Sequence, residues 1–423
     1  MPLSTNEIGK LLKEFFLSPV QEQLNRETIA LDMFEKARVN WAGRIAVIPV
    51  HTGVTGLSGD VAFSDDGTVP AAREQTFAKL NVEARRLLAR FQVDGMVMTA
   101  ARKGNTDQVI NWMEGSMDLL TEDVRDTMNR TVFSGGAVVG FATMNTGAIA
   151  AGVVAPNISI FGDIQKLSAE VVAAAAAGGA ATANLIDVNT GNQIGGADAV
   201  TITVVDTVAC DCTFTFNGVG PGISAAESNM VLAVEFTRAG TTYAQEPVGI
   251  YGNLGSLSMF GTARPGNNLN SNGFKPGALV GRQALDLDII QKAIDGVLNE
   301  SGEDIDVIFM NPLQRQTYTG LLTANIQTMS DKAGRGDGGF TGLSYGGVEI
   351  RSSRHCGRGG IVLMSMKHWK LLQLDKGGFA DFDGSALSRV ANTDAAEGYY
   401  RHYYNTACTR PNAQAVIAGV SID

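Results

Sequence analysis

Charged residues make up only 18% of this 423-residue chain, against roughly a quarter in an ordinary soluble domain. So little charge suits a surface largely covered by other protein better than a freely soluble monomer. Cysteine is scarce as well. Cys210, Cys212, Cys356 and Cys408 are all there are, too few in a chain of this length for a disulfide framework. Cys210 and Cys212 would share one face of a strand, but no second Cys or His pair stands nearby, so no metal site is expected. His355-Cys356 is equally isolated, and His51, His355, His368 and His402 show no ligand or triad spacing. No apolar run reaches bilayer-spanning length; the Ala/Gly stretch from Ala169 to Ala183 is weakly hydrophobic and carries Glu170. The opening MPLSTNEIGKLLKEFFLSP lacks the basic start, apolar run and cleavage site of a signal peptide, which points to synthesis and retention in a cytoplasm. Like charges never run to blocks of five or six, and the net charge of −10 argues against a dedicated DNA-binding module with a basic face.

Recognisable active-site motifs are missing too. The chain has no phosphate-binding Walker loop, no HExxH and no EF-hand spacing. Gly357-Arg-Gly359-Gly360 lacks the dinucleotide spacing, and the Arg335-Gly336-Asp337 tripeptide lies in a glycine-rich loop where such triplets arise by chance. Gly342-Leu-Ser344-Tyr-Gly346 matches the pattern of a serine-hydrolase elbow, which needs a strand before the Ser and a helix after it. Here a Gly-rich loop precedes the Ser and a strand pattern follows, so a turn before a strand is the expected structure. No catalytic residue, cofactor or metal is expected, and a cytoplasmic hydrolase using Ser344 is the rival from the enzyme class.

Glycine is abundant, with 50 residues, and one long periodic stretch stands out. From Thr106 to Ser134, Val109, Met113, Met117, Leu120, Val124, Met128 and Val132 recur every three or four residues, the period of an amphipathic helix. Thr106 is the expected N-cap and Gly135-Gly136 the stop. Unbroken, this helix rises about 43 Å, and its apolar stripe needs an extended cover. Ahead of it, residues 5–17 and 20–38 read as short helices, with Phe15 and Phe16 on the apolar side of the first. RIAVIPVHT from Arg44 and REQTFAKLNV from Arg73 read as a strand pair, each reaching about 27 Å, with Pro49 placing the first at an edge. Such a hairpin has little to bury on its own. Residues 87–95 alternate as a strand, with a helix over 82–92 left open.

Beyond the long helix, residues 141–160 read as loop plus short strands and 163–183 as helix. Strands follow at Asn184–Val188, Val200–Val205, Cys212–Asn217, Met230–Thr237 and Val248–Tyr251. Residues 252–282 read as loop. Next come a helix around 285–297, a buried strand at Asp306–Met310 and a helix at Pro312–Leu322. Strands at Val348–Arg351 and Ile361–Ser365, an α/β mixture past Lys367 and a last strand at Ala415–Ile422 complete the α+β pattern.

Several segments carry a family resemblance. Leu87-Leu-Ala-Arg-Phe-Gln-Val-Asp-Gly95, Asn129-Arg-Thr-Val-Phe-Ser-Gly-Gly136, Gln245-Glu-Pro-Val-Gly-Ile250, Asp306-Val-Ile-Phe-Met-Asn-Pro312 and Phe340–Ile350 with Gly360–Leu363 together resemble the major capsid proteins of tailed double-stranded DNA phages. That is the Hong Kong 97-like fold, shared with encapsulins, and the likeness spans about 40–422. It implies an N-terminal arm (1–40), an extended hairpin loop (41–82), a peripheral domain with a spine helix (83–140), and an axial domain (141–366) with a β-rich insertion at about 184–245. The chain then returns to the peripheral domain over 367–423. It further implies hexamers and pentamers of an icosahedral virion head, assembled in the host bacterial cytoplasm around non-specifically contacted DNA. A separate scaffold, or none, together with portal and decoration proteins would be the partners. An encapsulin-like compartment is the alternative within the class. Arg44, Val50, Arg73, Phe77, Lys79, Phe15 and Phe16 are the expected inter-subunit contacts.

Overall fold

The computed structural model describes residues 29–35, 37–53, 76–96, 106–143, 153–176, 179–187, 192–194, 200–207, 210–216, 231–238, 241–242, 245–256, 258–263, 284–325, 343–379, 388–390 and 393–420. The predicted helix over 5–17 and the loop at 334–339 lie outside them. The first described element is helix α1 (Ile29–Glu35). Its Ala30, Leu31 and Phe34 are fully buried, and Phe34 meets Trp369 edge-on at 5.4 Å. The helix expected to reach residue 38 ends earlier, because Arg38–Asn40 (β1) extends and pairs in parallel with a strand at the far end of the chain.

Strands β2 (Ile45–Gly53) and β3 (Thr76–Glu83) form the predicted hairpin, a sheet of their own. A two-stranded sheet has only edge strands, which is where Pro49 is tolerated. β4 (Arg85–Asp94) is a strand, so the helical reading of 82–92 falls away. Helix α2 runs from Thr106 to Ser134 without a break. Thr106, the expected cap, is already helical. Of the predicted stripe, Val124, Met128 and Val132 are buried, and the last turn is enclosed on every side, with Thr131, Phe133 and Ser134 also buried.

The glycine- and alanine-rich residues after α2 were expected to be loop with short strands. Those that are described lie in two strands, β5 (Val138–Thr143) and β6 (Val154–Gly162), and the stretch between the strands falls largely outside the described residues. Gly140 pairs with Gly162, and a Cβ on Gly140 would lie 2.6 Å from the Phe161 carbonyl oxygen. Glycine here permits close strand packing. Helix α3 (Ile164–Ala176) is followed by β7 (Ala181–Asp187), β8 (Gln193–Ile194), β9 (Val200–Asp206), β10 (Asp211–Phe216), β11 (Val231–Arg238) and β12 (Thr241–Thr242). β5, β6, β10, β9, β7 and β11 pair antiparallel in a ring that closes through β7 and β11. Closure leaves the staves no free edge. Phe214, Phe216, Leu232, Val234 and Phe236 fill the interior with Ile158, Ile160 and Ile202. The β-rich stretch therefore shares its sheet with strands on the other side of residue 184.

Where Val248–Tyr251 was expected to be a strand, the chain turns into a short helix, α4 (Ile250–Gly255). A tight pair, β13 (Ser258–Met259) and β14 (Thr262–Ala263), follows it. Helix α5 (Leu287–Ser301) is capped by Asp286 and ends at Gly302, whose φ of 68° is left-handed. Then come β15 (Val307–Met310), α6 (Pro312–Asn325), β16 (Leu343–Tyr345), β17 (Val348–Ser352) and β18 (Gly360–Met364).

Past Lys367 the expected α/β mixture is mostly sheet. It comprises β19 (Trp369–Phe379), β20 (Ser388–Arg389), β21 (Ala395–Cys408) and β22 (Ala415–Ala418). β22 closes the mixed sheet β16-β17-β15-β18-β22, while β1, β19, β21, β20 and β4 make a second five-stranded sheet lying on α2.

Between that sheet and α2 sits His402, its ring stacked on Tyr404 at 4.7 Å and its Nδ1 3.4 Å from Met128 Sδ. Burial first, then the charge of Arg38, lowers its pKa from 6.5 to about 4, against a small opposing pull from Asp375. The unfolded chain binds this proton more readily, so stability present above pH 6.5 is lost as pH falls toward 4. Between pH 7 and pH 5 the loss is expected to be about 1–2 kcal/mol, read as a fall in urea midpoint. A His402→Gln variant should lack that part of the pH slope; an unchanged slope would assign the effect to other groups.

Candidate assembly surface

The hairpin has two unlike faces because its side chains alternate. Ala78, Leu80 and Val82 are buried, with Ala46, Ile48 and Val50 packed beside them on the core. Opposite them, Ile45 is 39%, Val47 54% and Phe77 59% exposed. Register places Val47 across from Asn81, Pro49 from Lys79 and His51 from Phe77, and the His51 and Phe77 rings lie 5.3 Å apart. Among the expected contacts, Phe77, Lys79 and Arg44 are exposed, the first two on this outer face. Val50 faces inward, since it is in phase with Ala46 and Ile48. Arg73, Phe15 and Phe16 lie outside the described residues. Ile45 and Val47 were missed, although the alternation of IAVIPVHT already separates them from Ile48 and Val50.

Beneath the hairpin base, two of the segments picked out in the sequence meet. The Gly249 N–H donates to the Gly135 carbonyl at 3.0 Å. Val248 N–H donates to Asn405 Oδ1 at 2.8 Å, and Asn405 Nδ2 donates to the Glu83 carbonyl at 2.8 Å, which ties this crossing to the end of β3. Lys166 Nζ donates to the carbonyls of Ser134 and Gly136, both at 2.9 Å, capping the C-terminal end of α2. It also meets Glu246 at 2.6 Å, and Arg130 meets Glu246 at 2.9 Å and Asp163 at 3.5 Å. Burial pushes the Glu246 pKa up, but Lys166 and Arg130 outweigh it and hold the carboxyl below its ordinary value. Two cations and two carboxylates satisfy one another here. The cluster fixes geometry and offers no free nucleophile or base.

The other chemical candidates are structural as well. All four cysteines are buried and none is in a disulfide; burial, then Asp211, pushes the Cys212 thiol well above its ordinary range. Among the described residues no group of three or more His, Cys, Asp or Glu side chains is placed to hold a metal ion. Ser344 lies in β16 opposite Glu349. The next turn, Gly346-Gly347, has positive φ at both residues (56° and 88°), the geometry of a tight hairpin, so no strand-to-helix elbow forms.

No family model and no curated protein matches the chain. Solved structures do. A chain of the Cyanophage A-1(L) capsid asymmetric unit aligns at a TM-score of 0.57 and 10% identity, over 99% of this chain and 99% of that one. The capsid of a native GTA particle aligns at 0.49 and 8% identity over 100% of each chain. The holo-SrpI encapsulin complex from Synechococcus elongatus aligns at 0.44 and 9% identity, over 100% of this chain and 97% of that one. From end to end, this chain has the fold of the cyanophage capsid chain.

Proposed function

We propose that this chain is a phage major capsid protein of the Hong Kong 97-like kind, self-assembling into hexamers and pentamers of an icosahedral head around double-stranded DNA. The observation that carries the reading is the end-to-end likeness to the cyanophage capsid chain. The exposed apolar face of the β2–β3 hairpin supports it, because a protein that works alone has little use for Val47 and Phe77 in water. In this reading α2 is the spine helix of a peripheral domain (83–140, joined by 367–423). Residues 141–366 are the axial domain, the stretch at about 184–245 is an insertion in it, and residues 1–40 are the arm. The hairpin lies over a neighbouring subunit, and the work of the protein is done by interfaces. Assembly takes place in the bacterial cytoplasm; a scaffold, a portal and decoration proteins are the expected partners, and DNA is contacted without sequence preference.

Electron microscopy of the purified chain, with sizing chromatography alongside, tests this directly. Closed shells, tubes or capsomer-sized rings are the expected result. A chain that stays a 44.5 kDa monomer at every concentration, with or without the other head proteins, would overturn the reading. Shells filled with an enzyme in place of DNA would turn it toward an encapsulin-like compartment.

A further inference from the structure

Strand β4 pairs with β21 along all of Arg85–Asp94 without a shift in register. Among the described residues no strand lies on its other side. Two bonds fix which backbone groups face that open side. The Gly95 N–H donates to the Asp394 carbonyl at 2.7 Å, so this facing pair is a hydrogen-bonded one. Bonded and non-bonded pairs alternate along an antiparallel ladder, which makes Asp94–Ala395 a non-bonded pair. Accordingly the Ala395 carbonyl turns away from β4 and accepts from the Val390 N–H at 3.0 Å. Arg86, Leu88, Arg90, Gln92 and Asp94 therefore direct their N–H and C=O groups to the open edge. Their side chains are exposed as well, Leu88 at 60%. Such an edge is a template for another strand, and β4 has neither the proline nor the bulge that would block one.

We infer that this edge pairs with the β4 edge of a second copy, antiparallel, about a two-fold axis through Arg90. The strand itself selects that occupant, because in this register it is complementary to its own sequence. Arg86 falls opposite Asp94 of the second copy at both ends, and Leu88 opposite Gln92. On the inner face Leu87 meets Val93 and Ala89 meets Phe91, apolar against apolar. Asp94 accepts from the Met96 N–H at 3.0 Å, but among the described residues neither it nor Arg86 has an ion-pair partner. Asp94 and Asp394 line one recess with Gln92 and Thr393, so an incoming Arg86 finds two carboxylates. Arg90 meets its like on the axis, where Glu397 at 3.2 Å neutralises it. Sliding the copies until Leu88 lies on the axis would instead set Arg86 against Arg90, like against like. In the matched register all the outward groups fall into hydrogen-bonded pairs, and the two five-stranded sheets join into one. The inference rests on the assembly reading above for its setting.

The test combines Leu88→Cys and Gln92→Cys in one chain, whose own cysteines are buried. Hydrogen-bonded partners across the axis stand about 5.5 Å apart between Cα atoms, within disulfide range. Within one strand the same two positions are about 13 Å apart. Mild oxidation of assembled particles should turn the double variant into disulfide-linked dimers on a non-reducing gel and leave either single variant monomeric. A charge swap reads the register independently. Arg86→Asp or Asp94→Arg alone should raise the concentration needed for particle formation about tenfold or more, and the two together should return it to within about threefold of the parent. All three should melt within about 2 °C of the parent as unassembled chains. Particles whose double cysteine variant gives no dimer, dimers as abundant from Leu88→Cys alone, or a double charge swap no better than the singles would overturn the pairing and leave the assembly reading standing. Dimers linked through positions 88 and 92 in a chain that never forms particles would uphold the pairing and overturn the assembly reading.

Discussion

Replacing Val47 and Phe77 together by Asp is expected to abolish particle formation while leaving the isolated chain folded. Both side chains stand on the outer face of the hairpin, more than half exposed, so neither holds up the monomer. Surface changes away from caps and buried groups usually cost less than about 0.5 kcal/mol, which keeps the melting temperature within about 2–3 °C. At an interface the account differs. Burying a Val or Phe side chain contributes about 1.5–3 kcal/mol, and a carboxylate sealed there without a partner adds a further penalty. A loss of about 4 kcal/mol per contact raises the concentration needed for assembly roughly a thousandfold. Sedimentation would report monomer or capsomers where the parent gives shells. The matched control is Val50→Asp on the same strand. It points into the core beside Ala78 and Leu80, so it should unfold the hairpin base and lower stability by several kcal/mol, about 3 or more. Intact shells from the Val47/Phe77 variant would remove the hairpin from the interface.

What could be read from the sequence follows the range of the forces involved. The long helix was legible because its apolar stripe is a local, repeating signal; its C-terminal limit at Ser134 agrees with the structure, and its start differs only in that Thr106, the expected cap, is already helical. The hairpin was legible because RIAVIPVHT and REQTFAKLNV are β-forming runs, but which face of the first strand stays exposed was not, since Ala46, Ile48 and Val50 are no more apolar than Ile45 and Val47. Reading failed where glycine has two meanings. Glycine and alanine content suggested loop within 141–160, yet the glycines that flank that stretch, Gly140 and Gly162, face each other in neighbouring strands where a Cβ would collide with backbone. Val248–Tyr251 has β-forming side chains, but the bonds of Gly249 to Gly135 and of Asn253 to Gly249 turn it into a helix; tertiary contact overrides propensity.

The largest effect on the fold itself is expected at Gly249. A Cβ there would lie 2.5 Å from the Thr131 carbonyl oxygen, 2.7 Å from the Phe133 carbonyl oxygen and 2.7 Å from the Gly135 nitrogen. All three are backbone atoms of the α2 terminus, so no side chain can swing aside. The segment could retreat only by giving up the Gly249 N–H bond to Gly135 and pulling Val248 from Asn405. Gly249→Ala should therefore cost about 3–5 kcal/mol, the range of severe overpacking with lost buried hydrogen bonds. Against a total of about 5–15 kcal/mol for a typical domain, little soluble chain should survive at 37 °C, and its urea midpoint should fall accordingly. Gly320 in α6 is the contrast, with open space where a Cβ would go. Gly320→Ala should be neutral or stabilising by up to about 1 kcal/mol through helix propensity. Equal urea midpoints for Gly249→Ala and the parent would mean that the crossing yields. The α2 terminus could then not be the rigid mount that Asn405 links to the hairpin at Glu83, and the hairpin's aim toward a neighbour would have to be set elsewhere.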